Sequence, residues 1–244
     1  MEKDAVSILC SPETGAGLQL VSEEVPGRRG REALVDSGTG KKFVVREGIP
    51  LLLKDDQITG EGKKTRAFYN VIAPLYNVLH ELQGRRKGGE RKLRQKILSP
   101  LEIGEGNKVL EVSVGTGSNL PYLPPNANYY GVDISFPMLR QCAKLLKRHG
   151  ISGNLVLGAA EYLPFKDNVF DCVFNVCGFR LFNDKSRAMG EMVRVAKPGA
   201  RILIADQKRS GVPLDLIPRS ASPANVSEIE EWELYCMVFR KKHL

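Results

Sequence analysis

Glu111, Gly115, Gly117 and Asp133 are the residues whose types and spacing most plainly suit chemistry. Lys108 to Asn119 reads K-V-L-E-V-S-V-G-T-G-S-N, an apolar strand carrying one acid and ending in a Gly-x-Gly turn. Such a turn lets the backbone approach a ligand closely, because neither glycine has a side chain in the way, and the spacing predicts that it hands over to a helix whose free N–H groups favour an anion. Twenty-two residues after Glu111, Tyr129-Tyr130-Gly131-Val132-Asp133 gives a second strand ending in a carboxylate, where open α/β sheets bind ribose hydroxyls. This is a nucleotide-type site. A dinucleotide fingerprint would need a third glycine, G-x-G-x-x-G, and that position is Leu120.

The ordered series of motifs from Lys108 to Asp206 resembles the class I S-adenosylmethionine (SAM)-dependent methyltransferases. Val132-Asp133-Ile134-Ser135 with Met138-Leu139 is similar to the family's second motif. Glu161-Tyr162-Leu163-Pro164-Phe165 with Phe170-Asp171-Cys172-Val173 is similar to its E-x-L-P-F…F-D-x-V segment, and Lys197 to Ile204 to its K-P-G turn before strand five. Phe68 to Asn77 and Gly178-Phe179-Arg180 with Asp184-Lys185 resemble the narrower group of ubiquinone/menaquinone-biosynthesis C-methyltransferases. The resemblance implies SAM as cofactor, contacted by Glu111, Ser113, Gly115, Gly117, Asp133, Ile134, Met138, Ala160 and Glu161, with no metal. It also implies that Tyr69 and Tyr76 cover the cofactor and that Arg180 acts in catalysis.

Each role has a plainer alternative. Glu111 either orients the glycine loop, reaches the methionine amine or is a structural carboxylate bonded to backbone amides. Tyr69 and Tyr76, seven apart, share a helix face that suits core packing equally. Arg180 either binds an anionic substrate oxygen or forms a surface salt bridge. Two residues depart from the family. Ser113 stands where a first glycine is usual, and Ala159 stands where an aspartate usually accepts from the adenine amino group, a loss of roughly 0.5–1.5 kcal/mol. Methyl transfer needs mainly alignment, so a charged catalytic residue is not obligatory. His80, His149 and His243 fall outside the motifs, which favours an acceptor that is already nucleophilic.

The elements that must position these groups follow from the apolar pattern. Alternating strand and helix segments with continuous apolar strands predict an α/β fold, a doubly wound, largely parallel Rossmann-like sheet. Residues 1–54 show short apolar runs split by Gly and Pro, predicting a small β-rich unit; 55–64 reads as a linker and 65–244 as the methyltransferase domain. Helices are expected over 65–83, with a kink or break near Ala73 before Pro74, and over 88–101. The N-terminal unit resembles the zinc-ribbon activator of tRNA methyltransferases in Cys10-Ser11-Pro12-Glu13-Thr14-Gly15 and Val45 to Leu51. Only Cys10 remains of the paired cysteines, and Asp36 to Gly40 occupies the second pair's place, so a metal-free remnant is expected.

The 244 residues carry a net charge of +8 and 42% apolar content, enough for a substantial core. Between Lys63 and Lys96 ten basic residues face two acidic ones. That run suits RNA or another acidic partner, or an ordinary solvated face. No apolar run has membrane-spanning length and no signal peptide is evident, so a cytoplasmic protein is expected, with surface contact to a membrane left open. Five scattered cysteines are the usage of reduced, buried thiols. The function expected is methyl transfer from SAM to a small, aromatic or lipophilic, quinone-like acceptor. An RNA- or translation-linked methyltransferase and a non-catalytic scaffold are the alternatives.

Overall fold

The computed structural model describes residues 3–23, 31–86 and 89–243, the side chains of 3, 23, 31 and 76–86 excepted. The chain runs α1 (Lys3–Ser7), β1 (Leu18–Glu23), β2 (Arg31–Asp36), β3 (Lys42–Arg46), β4 (Ile49–Pro50), α2 (Gly60–Arg86), α3 (Glu90–Leu98), β5 (Lys108–Val112), β6 (Asn128–Asp133), α4 (Phe136–His149), β7 (Gly153–Leu157), β8 (Phe170–Val176), α5 (Lys185–Val195), β9 (Ala196–Gln207), β10 (Asn225–Ile229) and β11 (Leu234–Arg240). Two sheets result. β1-β2-β3-β4 is a four-stranded antiparallel meander, and β10-β11-β9-β8-β5-β6-β7 is a seven-stranded sheet. In the larger one β5 to β9 pair in parallel and β11 runs against both neighbours, giving the mixed, largely parallel Rossmann-like arrangement expected.

Period-two alternation sorts the strand residues between two cores. Leu110, Val112, Tyr130, Val132, Val156 and Val173 pack with α5 on one face. Val109, Tyr129, Leu155, Cys172 and Phe174 pack with α3 and α4 on the other. α4 is well specified: Ser135 caps its N-terminus by accepting from Met138 N–H, and Gly150 ends it at φ 64°.

Three expectations are corrected. The Gly-x-Gly turn does not open an α-helix; the β5–β6 connection holds only a 3-10 turn, Leu120–Tyr122. Pro121, Pro124 and Pro125 remove three amide donors from that stretch and end any helix there, so the turn must receive ligands without a helix dipole behind it. α2 starts at Gly60, inside the expected linker, and stays helical through Pro74 to Arg86, so there is no break at Ala73. Finally, Arg94 is not part of a solvated basic face, since it is buried at 4% exposure.

The β7–β8 connection also lacks an α-helix, having only a 3-10 turn at Ala160–Tyr162. The N-terminal unit covers the face left bare. Ala5, Val6, Leu9, Leu18, Leu34, Phe43 and Leu52 belong to the same buried cluster as Phe165, Phe170 and Val156. Backbone bonds fix the docking: Cys10 N–H donates to Pro164 O at 3.1 Å, Lys166 N–H to Ile8 O at 2.9 Å, and Leu52 N–H to Leu157 O at 2.9 Å. Where the ribbon resemblance puts a second cysteine pair, Asp36 sits fully buried, accepting from Gly38 N–H, Thr39 N–H and the Thr14 hydroxyl. The hydroxyls of Ser11 and Thr14 and these two amides hold its carboxyl well below the usual carboxylate range. The two turns are thus clasped through a carboxylate. Among the described residues no group of three or more His, Cys, Asp or Glu converges as a metal site.

Candidate active site

A cleft opens at the C-terminal ends of β5, β6 and β8, the edge at which parallel sheets present ligands. Ser113 and Gly115 form its floor, with Asp133, Ile134 and Met138 on the β6 side, Ala159, Ala160 and Glu161 after β7, and Cys177, Gly178, Leu181 and Phe182 after β8. Asp133 is held by its neighbours: Oδ2 accepts from Gly115 N–H at 2.9 Å and Oδ1 from Ser135 N–H at 2.9 Å. Burial pushes its carboxyl up to about 6. The Ile134 amide adds a third backbone donor, which leaves the carboxylate capacity for a further one.

Ser113 has φ 60°, the left-handed region, which explains why a glycine is the easier choice there and implies roughly 1–3 kcal/mol of local strain. Its side chain is accommodated because residue 178 is glycine. A Cβ at Gly178 would lie 2.9 Å from Ser113 Cβ. Asn175, fully buried, joins the two loops, donating to Val112 O at 2.7 Å and accepting from Gly178 N–H at 3.3 Å. Gly115, at φ 54°, has open space where a Cβ would stand.

Glu111, Gly117 and Arg180 lie outside the cleft lining. Glu111 is 2% exposed; its Oε1 accepts from Asn119 Nδ2 at 2.5 Å, and its Oε2 has no hydrogen-bond partner among the described residues. Burial pushes this carboxyl up to about 8. Asn119 accepts in turn from Arg94 Nη1 at 2.7 Å, so a buried chain runs from α3 through the glycine loop to β5. Gly117 is required by packing: at φ 80°, a Cβ there would lie 2.7 Å from Cys142 Sγ. Arg180 is engaged inward. Its Nη1 donates to Cys177 O at 2.8 Å and to the fully buried Asp206 at 2.8 Å. Tyr69 lines the cleft, and burial raises its hydroxyl above the usual range. The side chain of Tyr76 lies outside the described residues.

The sequence reading missed the near end of α2 and the turn before it. Gln57, Ile58, Gly62 and Thr65 line the cleft, although most of that stretch reads as polar linker. α2 is strapped over the opening at two points: Gly62 N–H donates to Asn183 Oδ1 at 3.0 Å, and Ser135 Oγ donates to Asn70 Oδ1 at 2.7 Å. No signal in the sequence marks this face: Gly62 is buried, and a Cβ there would lie 2.4 Å from Asn183 Nδ2, but a glycine in a polar run reads as linker.

Residues 110–204 match the family described as Methyltransferase domain. Over 141 residues the chain is 33% identical to the demethylmenaquinone methyltransferase of Renibacterium salmoninarum, covering 57% of each protein. Over 156 residues it is 31% identical to the ubiquinone/menaquinone biosynthesis C-methyltransferase UbiE of Geobacter sulfurreducens, covering 62% of this chain and 60% of that one. The chain therefore spans under two thirds of the curated relatives it matches. Among solved structures, the 4+2-cyclase SpnF superposes with a TM-score of 0.62 at 17% identity, covering 81% of this chain and 99% of that one, a likeness of fold alone. Residues 110–204 are thus similar to methyltransferase domains, a likeness that covers part of the chain. The cleft fits SAM, the cofactor such domains use: a carboxylate with free acceptor capacity, an unobstructed glycine turn and an apolar wall converge on one space.

Proposed function

We propose that this protein transfers a methyl group from SAM to a small, lipophilic, quinone-like ring acceptor. The observation that carries this reading is the lining of a single cleft, which joins the carboxylate of Asp133 to the apolar side chains of Ile58, Leu181 and Phe182. Among the described residues no lysine or arginine lines it, which suits a neutral acceptor better than RNA. The names of the relatives, demethylmenaquinone and ubiquinone/menaquinone methyltransferases, point the same way.

In this reading Asp133 accepts from the ribose hydroxyls, the Ser113–Gly115 backbone cradles the methionine end, and Ile134, Met138, Ala159, Ala160 and Glu161 surround the adenine. Bound there, SAM supplies an electrophilic methyl on a sulfonium. Glu161 acts by shaping the pocket, because its Oε1 accepts from Asn183 N–H at 2.9 Å and so fixes the β8–α5 loop. Arg180, tied to Asp206, holds the Cys177 turn rather than a substrate oxygen. α2 with Tyr69 closes the cleft against water, and an electron-rich ring carbon, as in a reduced quinone, then needs alignment more than a base.

The test is transfer of label from methyl-tritiated SAM to a short-tailed reduced demethylmenaquinone, with transfer RNA as the comparison acceptor. Label in the ring product and not in RNA is expected. Label in RNA alone, or no SAM binding by calorimetry, would overturn the reading.

A further inference from the structure

The inner and outer faces of α2 differ in what they meet. Gly62, Thr65 and Tyr69 line the cleft, and Ala73 is buried at 1% exposure. On the opposite side Phe68, Val71 and Leu75 are 58%, 78% and 63% exposed, although large apolar side chains elsewhere in the chain are mostly buried. Their spacing puts them on one stripe of the helix, with exposed Lys64 one turn ahead of Phe68 and Lys63 beside it. α3, which follows α2 and touches it, carries exposed Arg91 and Lys92 in its first turn, while Lys96 in its last turn lies near Glu230. The acidic groups of these two helices among the described side chains are Glu61, paired with Lys64 at 2.6 Å, and Glu90, paired with Arg94 at 3.2 Å. An apolar stripe bordered by a surplus of cations is the pattern of a helix lying in a membrane interface, and no helix among the described residues is long and apolar enough to cross a bilayer.

We propose that the outer face of α2 docks the protein on the surface of an anionic lipid bilayer, which places the cleft closed by the same helix next to the lipid. A lipophilic acceptor then reaches the site from the bilayer while SAM reaches it from water. The docking stands on the helix face and does not need the acceptor to be a quinone, so vesicle binding and methyl transfer are read separately.

The test is sedimentation of the full chain with phosphatidylcholine vesicles, with and without phosphatidylglycerol. The wild type is expected to sediment with the anionic vesicles and to be released by salt. Val71→Gln/Leu75→Gln is expected to weaken that binding by about tenfold or more, since it removes two side chains of membrane-buried size. Lys63→Glu/Lys64→Glu is expected to weaken it comparably, and it decides the matter if the apolar variant fails to fold. Calorimetry with SAM checks both variants for an intact site. Failure of the wild type to sediment, equal binding to neutral vesicles, or undiminished binding by the variants would overturn the proposal. So would a wild-type dimer in the ultracentrifuge that the apolar variant converts to monomer, because the stripe would then be a contact between copies of this chain.

Discussion

Replacing Glu111 by glutamine should stabilise the protein, and the gain should grow with pH. The carboxyl is buried beneath the glycine turn with one oxygen bonded to Asn119 and the other without a partner among the described residues. Burial moves it from the usual 4.5 to about 8. A native value raised above the unfolded one favours the fold below the unfolded value and is lost as pH rises through the native one. At ~1.4 kcal/mol per pK unit, keeping Glu111 costs ~3 kcal/mol at pH 7, where the unfolded chain is ionised and the native chain protonated, and ~1 kcal/mol at pH 5. Glutamine has the same shape and no charge, and it can still accept from Asn119. Any constant effect of the new amide cancels when the two pH values are compared. The variant's advantage over wild type should therefore be greater at pH 7 than at pH 5 by ~2 kcal/mol, or ~4–8 °C in Tm for a chain of this size. Differential scanning calorimetry of both proteins at both pH values measures it. An advantage independent of pH would refute the reasoning, because the carboxyl would then be ionised in the fold and partnered in some other way.

Three further outcomes follow from groups already described. Asp133→Ala should weaken SAM binding by roughly 1.5–3 kcal/mol in titration calorimetry, and in the wild type affinity should fall as pH drops below about 6, where the carboxylate gains a proton. Asp36→Asn should lower the melting temperature, because an amide offers N–H to donors that need an acceptor. Asp36 is depressed below its usual 3.8, so its contribution is present above that pH and is lost only as pH falls through the lower native value; the wild-type advantage should persist at pH 4 and shrink on further acidification, followed by circular dichroism. A chain beginning near Glu61 should melt lower and aggregate on light scattering, since it uncovers Phe165 and Val156 and frees the β7 edge at Leu157; unchanged melting would show that the larger sheet is complete without the N-terminal unit.

What the sequence made legible was governed by local pattern. Continuous apolar strands, the acid at the end of β6 and the glycine turn can each be read within a few residues, and the structure brings Ser113, Gly115, Asp133, Ile134, Met138, Ala160, Glu161 and Tyr69 to one cleft. The misreadings have different causes. Pro121, Pro124 and Pro125 were visible and outweigh the expectation of a helix after Gly117. Arg94 counted as surface charge because its partner, Asn119, lies across a loop; for Arg180 a salt bridge was one of two readings, and its partner Asp206, at the far end of β9, could not be named. Non-local pairing of this kind leaves no periodic trace. Gly60 to Lys64 looked like linker because a lid helix that is half solvated is polar in composition, and within that stretch it is Gly62 that faces inward.

The core shared between Leu9, Leu34, Leu52 and Phe165 also sets an order of events during synthesis. The N-terminal unit leaves the ribosome first, yet the surface against which it packs, and the Pro164 carbonyl that accepts from Cys10 N–H, are made only after β5, β6 and β7. Until then its apolar face has no cover, and the Asp36 clasp between two turns is among the few tertiary ties it can form alone. The nascent chain must therefore hold an unfinished domain in waiting, so substitutions in residues 3–52 should act on yield in the cell more strongly than on the melting of the finished protein.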